Sequence, residues 1–199
     1  MKKFLLIIIT SALFIYANGT TSALFGMRNS NYGFMGIQKN CWGLVYENSL
    51  TVQKPKLQYG RVAAFYNTEL PFDLSINYAL YGGMRYDQEF YDYGSRISVT
   101  WEILHQYLSL TGTWQPFYDS DYGFHYGYLA GLKTFVLPEI GLFANFKNLP
   151  EYRNIERRAE GGLIFKSGNL MVAPQISTPI DGQTRLTRVS VSFLYKLPF

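Results

Sequence analysis

The chain has 199 residues, a length that suits one domain, with 18% aromatic residues, 16% charged residues and a net charge of +4. A single cysteine, Cys41, excludes an internal disulfide and a zinc framework, and a modest positive charge without a clustered basic run excludes nucleic acid as the expected partner. Soluble domains carry nearer a quarter charged residues, yet no apolar run of about 20 follows the N-terminus, so no helix is expected to span a bilayer.

The chain opens on "MKKFLLIIITSALFIYA". Two lysines, a short apolar run and a small residue read as a signal peptide over 1–17, cleaved after Ala17. Residues 18–40 are rich in Gly and Asn. They are expected to form a periplasmic N-terminal segment or a small lumen plug; an additional hairpin on "SNYGFMGIQ" is the alternative. From residue 41 to 199 the chain alternates apolar and polar residues with period two, the mark of β-strands. Ten strands are expected, near 41–53, 57–70, 72–86, 93–103, 106–117, 123–136, 139–147, 154–166, 169–178 and 184–198. Many exceed the 5–6 residues usual in soluble sheets and reach the 9–11 that a tilted membrane strand needs.

The links between these strands alternate in length. "LPF" (70–72), "LHQ" (104–106), "LPE" (137–139) and "KSGN" (166–169) are tight. Those between them are mostly longer and more polar, as in "DQEFYD" (87–92), "KNLPEYR" (147–153) and "TPIDGQT" (178–184). Short turns at one end and longer loops at the other are the pattern of an outer-membrane barrel. The expected fold is therefore an all-β transmembrane antiparallel barrel of about ten strands, with eight or twelve as alternatives. A secreted β-sandwich binding module is the soluble alternative.

Charged residues would be costly against lipid, so the polar face is assigned to the lumen. It comprises Glu47, Arg61, Glu69, Asp73, Arg85, Arg96, Glu102, Lys133, Glu139, Arg158, Glu160, Lys166 and Arg188. Mixed signs predict internal pairing and a mostly occluded lumen with a thin water path. Tyr91, Tyr93, Tyr118 and Tyr122 are assigned to an interfacial girdle. The acidic residues Asp87, Glu89, Asp92, Asp119 and Asp121 read as a solvated rim, since no metal-ligand spacing appears. No metal or cofactor is expected.

Catalysis has one weak set of candidates: Ser120, His125 and Asp121, with Asp119 beside them. They would sit near the outer rim, where a lipid-modifying enzyme would work, but their spacing matches no nucleophile motif. The chain is therefore read as non-enzymatic.

The terminal stretch "VSVSFLYKLPF" places Val191, Phe193, Tyr195, Leu197 and Phe199 on one face. It resembles the C-terminal β-signal of bacterial outer-membrane proteins, with Pro198 as a departure. The resemblance implies a Gram-negative outer-membrane location, lipid around the barrel and the barrel assembly machinery as a partner. "CWGLVYENSLTVQ" is similar to the first strand of small Bacteroidetes-type barrels distantly related to fatty-acid-channel and secretion-associated barrels. Those relatives carry an N-terminal plug, which is what the resemblance implies for 18–40. The functions expected are passive transport through a narrow pore or an envelope or secretion-associated scaffold.

Overall fold

A computed structural model of the protein describes residues 21–30, 32–50, 57–86, 89–149, 157–180 and 187–198. Twelve antiparallel strands close into one barrel: β1 (Thr21–Arg28), β2 (Tyr32–Lys39), β3 (Trp42–Leu50), β4 (Leu57–Leu70), β5 (Leu74–Arg85), β6 (Tyr91–Leu104), β7 (Leu108–Asp119), β8 (Gly123–Leu137), β9 (Ile140–Lys147), β10 (Arg158–Ser167), β11 (Leu170–Pro179) and β12 (Arg188–Pro198). Each strand pairs with its neighbours in sequence. β12 closes the ring on β1 in a register running from Ser22↔Pro198 to Met27↔Phe193. Closure removes every unpaired sheet edge, the condition a sheet must meet in lipid.

The count is twelve, the higher of the two alternatives to ten. Residues 21–39, first expected to be a plug, form the first hairpin of the wall. Inward glycines hide its period. A side chain at Gly26 would overlap the Phe34 ring, and one at Gly36 would lie 2.5 Å from the Leu44 carbonyl. Asn29 and Ser30 turn the hairpin with φ of 54° and 57°. Their tip folds inward: Ser30 N–H donates to the Val191 carbonyl at 2.9 Å, and Gln175 Nε2 donates to Asn29 Oδ1 at 2.7 Å. The ten later strands lie where alternation predicts them. The signal segment 1–17 and Phe199 lie outside the described residues.

Because alternate residues face opposite sides, the register assigns every strand residue to one face. From β3 round to β1 no described outward strand residue is charged. The outward face carries exposed apolar and aromatic side chains instead, among them Leu80, Val99, Trp101, Leu132 and Phe193. Apolar area left in contact with water on this scale opposes solubility, whereas acyl chains solvate it. The exterior is thus that of a membrane-spanning barrel. Near the loop end the outward Tyr118 ring stacks on Tyr91 and Tyr93, with centroids 6.3 and 5.3 Å apart, the placement of an interfacial girdle.

Turns 40–41, 71–73, 105–107, 138–139 and 168–169 lie at the end that holds both Ser22 and Pro198. This is called the short-turn end below, and its opposite the loop end. The interior is partly filled. Phe135, Ile164 and Ala173 form a buried apolar cluster on the β8, β10 and β11 walls, with Phe143 and Met171 packed on it.

Candidate functional site in the barrel interior

Ten cationic side chains take inward positions among the described residues: Arg28, Arg61, Arg85, Arg96, Lys133, Lys147, Arg158, Lys166, Arg188 and Lys196. Six carboxylates share that face: Glu47, Glu69, Asp92, Glu102, Asp119 and Glu160. Asp73 differs from expectation. It lies in the β4–β5 turn with φ of 56° and is exposed, because β5 starts at Leu74 rather than at 72. Glu139 likewise lies in the β8–β9 turn.

Three polar groups organise the interior. On β4–β6, Arg61 Nη2 donates to Asp92 Oδ2 at 2.8 Å, and Arg61 Nε donates to the Tyr59 hydroxyl at 2.8 Å. Tyr59 in turn donates to Asp92 Oδ1, so both carboxylate oxygens are held. The guanidinium also lies 4.5 Å from the Tyr81 ring centroid, and Gln115 Nε2 donates to the Tyr81 hydroxyl at 2.8 Å. Beside this group Arg28 pairs with Glu47 at 2.8 Å and covers the Tyr32 ring at 4.7 Å. On β9–β11, Lys147 Nζ lies 2.6 Å from Glu160 Oε1. There Arg158 Nε donates to Ser177 Oγ at 2.8 Å.

Arg96 stands apart. It makes no ion pair or hydrogen bond to any described residue and is exposed to the interior. With Arg28, Arg61, Glu47, Tyr81 and Gln115 it lines a cavity of about 310 Å³, whose apolar wall includes Phe34, Phe65 and Ala79. Leu149, just past β9, reaches the same cavity from the far wall. A second cavity of about 380 Å³ is lined by Asn29, Tyr32, Arg158, Glu160, Gln175 and Arg188. A third, of about 220 Å³, opens at the short-turn end between Glu102, Ser109, Lys133, Phe135 and Lys166. The interior therefore holds several chambers lined in part by charged side chains, with cations in excess among the described residues.

The Ser120, His125 and Asp121 set does not assemble as a triad. Asp119 Oδ2, not Asp121, is the carboxylate oxygen facing His125 Nε2, at 3.8 Å. Asp119 Oδ1 accepts the N–H groups of Asp121 and Tyr122 at 3.0 and 2.7 Å, capping the β7–β8 turn. Ser120 Oγ accepts the Tyr91 N–H at 3.2 Å, on the edge of β6.

Asp92 and Asp119 correct the reading of a solvated acidic rim, since both are inward and buried. Sequence reasoning also passed over Tyr59 and Lys147. Asp92, Asp119 and Lys147 sit at or beyond strand ends as drawn from alternation, so they were assigned to loops. Tyr59 carries no signal, because tyrosine suits either face of a strand.

No protein-family model matches the chain, and no curated protein sequence does. Solved structures do. The KdgM porin, solved in complex with disordered oligogalacturonate, matches 88% of this chain and 98% of its own, with a TM-score of 0.65 and 13% identity. The NanC porin matches 89% of this chain and 98% of its own, with a TM-score of 0.54 and 9% identity. The chain has the barrel fold of these small porins, spanning almost their whole length.

Proposed function

We propose that the protein is a narrow outer-membrane pore for passive transport, selective for small anionic solutes, and that it is not an enzyme. The observation that carries this is the inward excess of cations on a barrel whose outward face carries no charge from β3 round to β1. A low-dielectric wall focuses the field of interior charges, which raises the local concentration of counter-ions. Arg96, unpaired between Arg28 and Arg61, is the cation most available to a passing anion. Arginine suits this task because its planar fork matches a carboxylate. The porin barrels with the same fold support the pore reading, and the oligogalacturonate bound to KdgM is an acidic ligand in keeping with it. The location follows from the same fold, the outward face uncharged among the described residues from β3 round to β1, and the N-terminal export pattern.

The other partners belong to this proposal. Val191, Phe193, Tyr195 and Leu197 all face outward on β12, the strand that closes the barrel. A terminal strand that completes the ring is a fitting element for the assembly machinery to read.

The test is a planar-bilayer measurement on the refolded full-length chain. A salt gradient is expected to give discrete conductance steps with a reversal potential on the anion side. A silent barrel, or one that prefers cations, would sink the reading.

A further inference from the structure

The short-turn end holds a cluster that the rest of the interior does not use. Lys133 on β8 and Lys166 on β10 both approach the ring of Phe135, with Nζ 5.6 and 4.0 Å from its centroid. Neither ammonium group has a carboxylate or hydrogen-bond partner among the described residues. Two like charges around one ring repel each other, and Glu102, the acidic residue of the cavity, makes no ion pair with either. Glu102 lies 3.3 Å from Nδ1 of His105 in the β6–β7 turn. Between them Ser109 is 5% exposed, and its hydroxyl has no hydrogen-bond partner. The register sets Ser109 directly beside Lys133 on one side and Glu102 on the other. A buried hydroxyl without a partner is costly; the Ser109 oxygen is covered, and the residue borders the cavity that the two lysines line.

The rest of this cavity is mostly apolar, with Gln106 of the β6–β7 turn as a further polar residue. Phe135 packs on Ile164 and Ala173, and Leu104, Tyr107, Leu108 and Pro138 complete the wall. Its volume of about 220 Å³ is below the roughly 300–1,000 Å³ of drug-sized sites, so it admits a single-ring solute.

We propose that Lys133, Lys166 and Ser109 form a binding station at the short-turn mouth for a small organic anion, a carboxylate or phosphate carried on a sugar-sized ring. The lysines leave the Phe135 ring to neutralise the acid group, the Ser109 hydroxyl thereby uncovered donates to it, and the solute's ring takes the lysines' place on Phe135. This station rests on the pore reading for how its ligand arrives, but binding itself requires no conduction. It is separate from the Arg28, Arg61 and Arg96 cavity, whose lining residues it does not share.

The test uses the full-length chain, ¹³C-labelled at lysine and folded in detergent. D-glucuronate, D-glucose 6-phosphate, inorganic phosphate and D-glucose are titrated in turn. Lys133→Gln and Lys166→Gln assign the two lysine signals. The expected result is that both signals move together with glucuronate or with glucose 6-phosphate. Whichever of the two moves them identifies the acid group. Glucose is expected to bind at least tenfold more weakly, and Ser109→Ala to weaken the anion several-fold while keeping heat-modifiable gel mobility. The proposal is overturned if both lysine signals stay still with all four compounds, or if glucose moves them equally. Inorganic phosphate binding as tightly as glucose 6-phosphate would remove the ring from the proposal. Lysine shifts in a barrel without conductance would sustain the station and sink the pore. Anion-selective conductance with unmoved lysines would do the reverse.

Discussion

Arg61 and Asp92 meet at 2.8 Å across a strand that offers no side chain between them. Arg61 is on β4 and Asp92 on β6. Both pair with the same residue of β5, Gly83. A Cβ at Gly83 would overlap the Tyr59 hydroxyl and come 2.6 Å from Asp92 Oδ1. The glycine is thus the aperture through which the interior network of this half of the barrel is joined.

Gly83→Val should therefore break the network by steric force alone. Overfilling a packed position costs about 1–3 kcal/mol. Denaturant unfolding of the folded barrel in detergent should show that loss. Gly112, where an added Cβ meets nothing within 4 Å, is the control, and its change to alanine should cost little. Equal losses at both positions would refute the aperture.

Asp92→Ala should be more damaging than its small size suggests. The Arg61 and Asp92 side chains are only 13% and 6% exposed. Removing one partner of a buried pair costs about 3 kcal/mol or more, because the other charge is left uncompensated. The double variant Arg61→Met, Asp92→Leu should regain most of the loss. If the double variant unfolds no later than Asp92→Ala, the pair stabilises the barrel in its own right.

Val99→Lys tests the membrane face. Val99 is outward on β6 and 40% exposed. A lysine against lipid near the bilayer midplane costs about 2–4 kcal/mol. The loss should appear in lipid vesicles as a lowered unfolding midpoint. An unchanged midpoint would place residue 99 away from acyl chains.

Arg96→Glu should act on selectivity rather than stability. Arg96 has no described partner to lose, and the change reverses one charge in the cavity it shares with Arg28 and Arg61. The reversal potential in a salt gradient should shift toward the cation side, while heat-modifiable mobility is kept. A reversal potential equal to that of the wild type would remove Arg96 from the conduction path.

Much of the barrel was legible in the chain, for a local reason. A strand that separates lipid from a polar interior must alternate residue by residue, so β4, β6, β8 and β12 showed their faces directly. The first hairpin is legible only as the alternative to a plug, because Gly26 and Gly36 occupy inward positions and contribute no side chain to the pattern. Their absence of a side chain is what lets Phe34 and the neighbouring strand fit. The interior cluster was less legible. Alternation assigns Glu47 and Arg61 to the lumen, but Asp92, the partner of Arg61, reads as loop, since the first residues of β6 resemble the loop that leads into them.

The sequence by itself determined that this chain is a barrel with a greasy outside, a charged inside and short turns at one end. Period-two alternation and the cost of charge in lipid are properties of single strands, and they can be read one strand at a time. Only the tertiary structure decided which interior charges satisfy one another and which do not. Arg28 with Glu47, Arg61 with Asp92 and Lys147 with Glu160 are pairs between different strands, fixed by register and closure. Arg96, Lys133 and Lys166 were left over by that same geometry, and an unpaired cation is recognisable only once every neighbouring carboxylate has been placed.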